Sequence, residues 1–176
     1  MEIHRKPYLF YRHRLYPKLK EFRGFTRIKI WLKKIATLDL EKIDEESEPI
    51  TEKEWDNLII LDAARHDTYE EIEGETDYRI SVGSATPEFI EKTFSEGDFS
   101  DVIYISGNPH FYPDIFKELT GRDLEETFHE VYNTYETDWN EKEGVVLPEP
   151  LLRDAKSADK LFPGKRKIIH FMQPHV

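Results

Sequence analysis

The chain has 176 residues, a formal net charge of −11 and no cysteine. This length is enough for one domain with a hydrophobic core, and the lack of cysteine excludes disulfides, thiolate metal sites and a cysteine nucleophile. No apolar run reaches the roughly 18 residues that cross a bilayer, and no secretory signal is visible, so the sequence predicts a cytoplasmic protein.

The first 36 residues differ in charge from the rest of the chain. They hold 11 of the 25 Lys and Arg residues but only 2 of the 36 Asp and Glu residues, which gives them a net charge of +9 and leaves −20 on residues 37–176. Apolar side chains recur from Tyr16 to Ile35 at steps of three and four residues, which predicts a helix with one apolar face.

Three roles stay open for this basic arm. The first is packing of its apolar face on the rest of the chain. The second is contact of its Lys and Arg residues with an anionic surface at the inner face of a membrane, and the third is binding of nucleic acid. The acidic remainder of the chain disfavours nucleic acid. An acidic segment that ends at Pro49 predicts a linker, so we divide the chain into an arm with its linker, residues 1–50, and a domain, residues 51–176.

Short apolar runs alternate with helical patterns in the domain. The predicted strands are 57–61, 78–82, 101–105, 130–135 and 167–172, and the predicted helices are 63–72, 86–94, 113–130 with a break at Gly121, and 148–160. The first and last strands are continuous apolar runs, which are typical of strands buried on both faces. This alternation predicts an α/β fold with a mostly parallel sheet flanked by helices.

Polar residues follow several predicted strands, and parallel sheets bind ligands beyond the carboxyl ends of their strands. Asp62 directly follows the most apolar strand, where a carboxylate either caps the next helix or binds a metal ion or substrate. Ser84 and Thr86 precede the next helix, where a hydroxyl group is a cap or a nucleophile, and the local pattern favours a cap. The other residues at strand ends are Asn108, Pro174 and His175.

Three segments resemble motifs of the sulfatase-like branch of the alkaline phosphatase superfamily. The segment LIILDAARHD at residues 58–67 resembles the opening motif of that family, and SVGSATPE at residues 81–88 resembles its nucleophile segment. The segment IIHFMQPH at residues 168–175 is similar to the strand that ends in Pro-His in the family. The three matches occur in the family's order within residues 55–176.

The resemblance implies an alkaline-phosphatase-like fold and a metal-dependent hydrolase or transferase of phosphate or sulfate esters. Asp62 would be the first ligand of a divalent metal ion, with zinc, manganese, magnesium and calcium all open. Thr86 would be the nucleophile, with Ser84 as second choice, in a displacement that passes through a covalent intermediate. The implied substrate-binding residues are His175, Arg65 and Asn108.

The chain also departs from the family pattern. The second group of metal ligands in the family follows the Pro-His strand, whereas this sequence stops at Val176, and Gln173 stands where an Asp is common. The chain is therefore expected to be the N-terminal part of a longer domain, or an inactive fragment of one. The alternative function is a non-catalytic α/β interaction protein that docks through its basic arm on a membrane surface or a protein partner.

Overall fold

The computed structural model of the chain describes residues 47–52, 54–62, 64–77 and 80–174. The predicted arm helix between Tyr16 and Ile35, most of the acidic linker, and His175 lie outside the described residues. No helix in the described part of the chain combines the length and the hydropathy that a bilayer crossing requires.

A four-stranded sheet forms the centre of the domain. Its strands are β1 (Asn57–Leu61), β2 (Phe99–Ser106), β3 (Phe128–Asn133) and β6 (Arg166–Phe171). They lie in the order β1–β6–β2–β3, and every neighbouring pair is parallel. A separate antiparallel pair contains β4 (Trp139–Asn140) and β5 (Val145–Val146). The predicted α/β fold with a mostly parallel sheet is confirmed.

Helices connect the strands and flank the sheet. They are α1 (His66–Glu73), α2 (Thr86–Phe94), α3 (Pro113–Thr120), α4 (Leu124–Thr127), α5 (Thr134–Thr137) and α6 (Pro148–Leu161), with 3-10 turns at Ile50–Glu52 and Pro109–Phe111. The bounds of α2 are those predicted, because Pro87 fits the first turn of a helix. The break at Gly121 is also confirmed, since that residue ends α3 in the left-handed region at φ 76°.

An aromatic cluster fixes the C-terminal end of α2. The ring of Phe94 is fully buried and meets four other rings edge to face at centroid distances of 5.2–5.7 Å. These rings belong to Phe99, Tyr104, Phe111 and Phe128. Because α2 is anchored at Phe94, the position of its first residue, Thr86, is fixed as well.

The predicted strand over residues 78–82 is wrong for the residues that the structure describes there. Residues 80–82 have no strand geometry. The Ser81 hydroxyl donates to the carbonyl of Gly83 at 2.8 Å and accepts from the amide of Gly83 at 3.3 Å. Such local side-chain to backbone bonds compete with a strand ladder and favour a turn.

Two predicted boundaries are also wrong. The helix expected from residue 63 begins at His66, after Arg65 in an extended conformation. The strand expected at residues 130–135 begins at Phe128, and residues 134 and 135 already belong to α5. Residues 128–130, at the end of the segment predicted to be helical, therefore belong to strand β3. The aromatic and β-branched side chains of β3 favour a strand at the edge of the sheet.

The two apolar strands differ in burial. β6 lies between β1 and β2, and its residues from Lys167 onward are buried, as its apolar run predicted. β1 is an edge strand among the described strands, and its side chains alternate between exposed and half-buried. Ile59 is 61% exposed and Leu61 is 42% exposed. The prediction that β1 is buried on both faces is therefore wrong, because an apolar run does not distinguish an edge strand from a central one.

Candidate functional site

The carboxyl ends of β1, β6 and β2 meet at one edge of the sheet. The amide of Asp62 donates to the carbonyl of Phe171, at the end of β6, at 3.0 Å. The amide of Gly107 donates to the carbonyl of His170 at 3.0 Å from the other side of β6. These two hydrogen bonds extend the pairing of β1 and β2 with β6 by one residue each. They hold the loops after β1 and β2 on either side of the end of β6.

One oxygen of Asp62 is surrounded by three polar groups. Its Oδ2 accepts from Asn108 Nδ2 at 2.8 Å and from the Thr86 hydroxyl at 3.4 Å. Nε2 of His170 lies 3.9 Å from the same oxygen. The side chain of Asp62 is only 22% exposed, so these neighbours replace much of its hydration. The structure thus brings together three of the residues singled out in the sequence.

Asn108 links Asp62 to His110. Because a carboxylate only accepts, the amide nitrogen of Asn108 is assigned to the side facing Asp62. Its Oδ1 then accepts from the backbone amide of His110 at 2.9 Å and lies 3.0 Å from Nδ1 of the same residue. This arrangement places the ring proton on Nδ1 and leaves Nε2 of His110 as a proton acceptor.

Burial keeps His110 neutral. It lowers the pKa of this ring, because the charged form loses hydration, while the charge of Asp62 acts in the opposite direction. The sequence analysis missed His110. The signal that identifies it is the segment Asn-Pro-His directly after β2, in which Asn108 caps the 3-10 turn that carries the histidine.

His170 and Tyr104 lie behind Asp62 in the interior of the sheet. The Tyr104 hydroxyl is 2.8 Å from Nδ1 of His170, and only 2% of the His170 side chain is exposed. Burial lowers the pKa of His170 to about 4, while the charge of Asp62 acts in the opposite direction. Burial also raises the pKa of Tyr104. His170 was not among the site residues predicted from sequence, because strand neighbours cannot be identified from local sequence.

The loop before α2 packs tightly on the first turn of that helix. A Cβ atom at Gly83 would lie 2.4 Å from the backbone nitrogen of Phe89, so only glycine fits. The backbone amide and the hydroxyl of Ser84 each donate to Glu88 Oε2 at 3.0 Å. The N-cap of α2 is Ala85, and no side chain caps the helix. The predicted capping role is therefore wrong for both Ser84 and Thr86.

The remaining predicted residues lie elsewhere. Arg65 is exposed and forms a bidentate pair with Asp67. Within the described ranges, no hydrogen bond or ion pair joins Arg65 to Asp62. Asp62 does not cap α1 either, because the N-cap is Arg65.

The described residues fit part of a metal site. The carboxylate of Asp62 and the hydroxyl of Thr86 are oxygen donors, which hard divalent cations prefer. Within residues 47–174, gaps excepted, no group of three or more His, Cys, Asp or Glu side chains is close enough to hold a metal ion. In this part of the chain, His, Cys, Asp and Glu side chains alone therefore do not form a complete metal site around Asp62.

Comparisons of the chain with protein-family models, with curated proteins and with solved structures find no match. The resemblance to the sulfatase-like branch therefore stays a prediction from three short motifs. A functional assignment depends on the residues and the geometry of this chain.

Proposed function

We propose that this chain carries the nucleophile-bearing part of a metal-dependent hydrolase or transferase of phosphate or sulfate esters, similar to the sulfatase-like enzymes. The observation that carries the proposal is the 3.4 Å contact between the Thr86 hydroxyl and Asp62 Oδ2. The two residues are 24 positions apart in sequence. Asp62 directly follows β1, and Thr86 contacts it at this carboxyl edge of the parallel sheet, where α/β enzymes bind their ligands.

The position of Thr86 suits attack on an anionic ester. It is the first residue of α2, and the amino end of a helix favours negative charge. Its hydroxyl donates to Asp62, so the hydroxyl proton would pass to that carboxylate while the oxygen forms the bond to phosphorus or sulfur and the bond to the leaving oxygen breaks. Nε2 of His110 is a proton acceptor near this site. A divalent ion held by Asp62 and Thr86 would lower the pKa of the hydroxyl and neutralise charge on the ester.

The surroundings of Ser84 favour Thr86 as the nucleophile. The Ser84 hydroxyl is exposed and already donates to Glu88. It therefore serves to fix the loop before α2. Thr86 is half-buried and contacts Asp62 directly.

Asp62→Asn is expected to remove metal affinity. The amide has nearly the same shape as the carboxylate but lacks the negative charge that a divalent cation requires. Isothermal titration calorimetry with Mn²⁺, Zn²⁺, Mg²⁺ and Ca²⁺ would measure the affinity. We expect a loss of more than about 100-fold, which exceeds the usual effect of changing a residue that only hydrogen-bonds to a metal ligand. Hydrolysis of 4-nitrophenyl phosphate and 4-nitrocatechol sulfate should fall in parallel and stop when EDTA is added.

Asp67→Asn is the matched control. It removes a carboxylate five positions away, whose partner is the exposed Arg65. We expect its metal affinity and ester hydrolysis to equal those of the wild type. Equal loss in both variants would contradict a specific role of Asp62, and a wild-type chain that binds none of the four metals would count against the metal-dependent reaction.

The charge separation along the sequence favours a second candidate function, a non-catalytic protein that docks through its basic arm. Each Lys or Arg near an anionic surface contributes about 1 kcal/mol of binding free energy. Changing Lys29, Lys33 and Lys34 to Gln should therefore weaken binding to vesicles that contain phosphatidylserine by roughly 100-fold. Vesicle sedimentation would measure this, and added salt should weaken wild-type binding because it screens the charges.

A second triple variant controls for net charge. Lys142, Lys156 and Lys160 are exposed in the acidic part of the chain, and changing them to Gln alters the net charge by the same amount. Binding that falls equally in both variants, or that does not respond to salt, would argue against docking through the arm.

A further inference from the structure

A polar pair lies behind Asp62, inside the sheet and away from solvent. Tyr104 on β2 is fully buried, and His170 on the neighbouring strand β6 is almost so. The ring of Tyr104 stacks on Phe111 at a centroid distance of 3.9 Å, and the ring of His170 meets Phe89 and Phe111 edge to face. A buried tyrosine and histidine in aromatic surroundings must satisfy each other's hydrogen-bonding groups, since water does not reach them.

The two ring nitrogens of His170 face different partners. Nδ1 is 2.8 Å from the Tyr104 hydroxyl, and Nε2 is 3.9 Å from Asp62 Oδ2. A lone pair on Nε2 would face the negative carboxylate oxygen and be repelled, whereas an N–H group there is attracted to it. The neutral ring therefore carries its proton on Nε2, so Nδ1 accepts and Tyr104 donates.

We infer that Tyr104 and His170 are positioning residues for Asp62, an inference whose catalytic consequence rests on the proposed function. Tyr104 fixes the tautomer of His170, and the Nε2–H group, 3.9 Å away, attracts Oδ2 of Asp62, which also accepts from Thr86 and Asn108. Neither residue touches the substrate, because both are buried behind the carboxylate. A partner that orients a reacting group in this way typically contributes about 10- to 100-fold to activity.

The tautomer is measured without any activity. In a long-range ¹H–¹⁵N correlation spectrum of the histidine rings, the full chain should show His170 protonated at Nε2 and unprotonated at Nδ1. The His170→Gln variant assigns the signal, because that signal disappears. A proton on Nδ1 of His170 would overturn the inference whether or not the chain is an enzyme.

Enzyme kinetics test the consequence. Tyr104→Phe keeps the ring that packs on Phe111 and removes only the hydroxyl, so we expect kcat with 4-nitrophenyl esters to fall about 10- to 100-fold while KM changes less than about twofold. Tyr132→Phe is the control, since it removes a phenol hydroxyl from β3 instead, and its kcat should equal that of the wild type. An unchanged kcat in Tyr104→Phe would contradict the positioning role.

A second comparison separates positioning from packing. His170→Gln keeps an N–H donor near the position of Nε2, whereas the double variant Tyr104→Phe with His170→Leu is apolar and leaves no buried hydroxyl unpaired. A merely structural role predicts that the apolar pair is at least as active as the Gln variant. We expect the Gln variant to be several-fold more active, and the reverse order would overturn the inference. If the wild type hydrolyses no ester, the proposed function fails. The NMR measurement of the His170 tautomer still tests the arrangement of Tyr104, His170 and Asp62 in that case.

Discussion

Thr86→Ala is expected to abolish ester hydrolysis while the fold and most of the metal affinity, which depends on the charge of Asp62, are retained. The change removes the hydroxyl that would form the covalent intermediate, and removal of a nucleophile in other enzymes costs up to ~10⁶-fold in kcat. We expect a loss of at least about 10³-fold in the hydrolysis of 4-nitrophenyl phosphate or 4-nitrocatechol sulfate. Alanine is a good helix former, so the first turn of α2 should persist.

Ser84→Ala distinguishes the two candidate nucleophiles. The Ser84 hydroxyl is bonded to Glu88, so its removal should loosen the loop before α2 and lower kcat only a few-fold. Mass spectrometry of the chain after a short incubation with substrate should find a phosphoryl or sulfuryl group on Thr86. Loss of activity in Ser84→Ala together with full activity in Thr86→Ala would make Ser84 the nucleophile, and activity in both variants would exclude this mechanism.

Acid is expected to destabilise the fold through His170. Burial lowers the pKa of His170 from 6.5 to about 4, so the unfolded chain binds a proton between these pH values that the folded chain does not. The free energy of unfolding therefore falls as the pH is lowered from 6.5 towards 4, by roughly 3 kcal/mol for this residue. His110, whose pKa is also lowered by burial, acts in the same direction.

Urea unfolding at pH 7 and at pH 4.5, with EDTA present, measures this effect. His170→Leu combined with Tyr104→Phe should be less sensitive to pH in this interval, because the titrating ring is gone and no buried hydroxyl is left unpaired. His129→Gln is the control, since His129 is exposed on β3. A pH dependence that is the same in all three proteins would show that His170 is not held neutral in the fold.

The strand-end rule predicted from sequence three residues that the structure brings together at one edge of the sheet. Asp62 and Asn108 each follow a strand of one parallel sheet, and Thr86 opens a helix, so their convergence follows from local patterns and a general rule of α/β folds. His170 was not identified because its role depends on β6 lying between β1 and β2. That order is set by contacts between distant segments, and no local pattern records it.

The errors in the fold have the same origin. The apolar run of β1 looks like that of β6, but among the described strands β1 is at the edge of the sheet and β6 in its centre. The loop at residues 80–85 has strand-like composition, yet Ser81 and Gly83 bond to each other and Gly83 lies against the backbone of α2. Contacts with distant parts of the chain decide the burial of β1 and, together with the local bonds of Ser81, the conformation of the loop.

The order of the strands has a consequence for how the protein is made. β6 is the last strand in sequence, yet it pairs with both β1 and β2, and its partner residues in β1 are 110 positions earlier, as with Asn57 and Lys167. During synthesis β1 therefore has no neighbour in this sheet until the residues of β6 have left the ribosome. The apolar side chains of β1 stay exposed during that interval. The nascent chain is therefore a candidate client for chaperones that bind extended apolar segments.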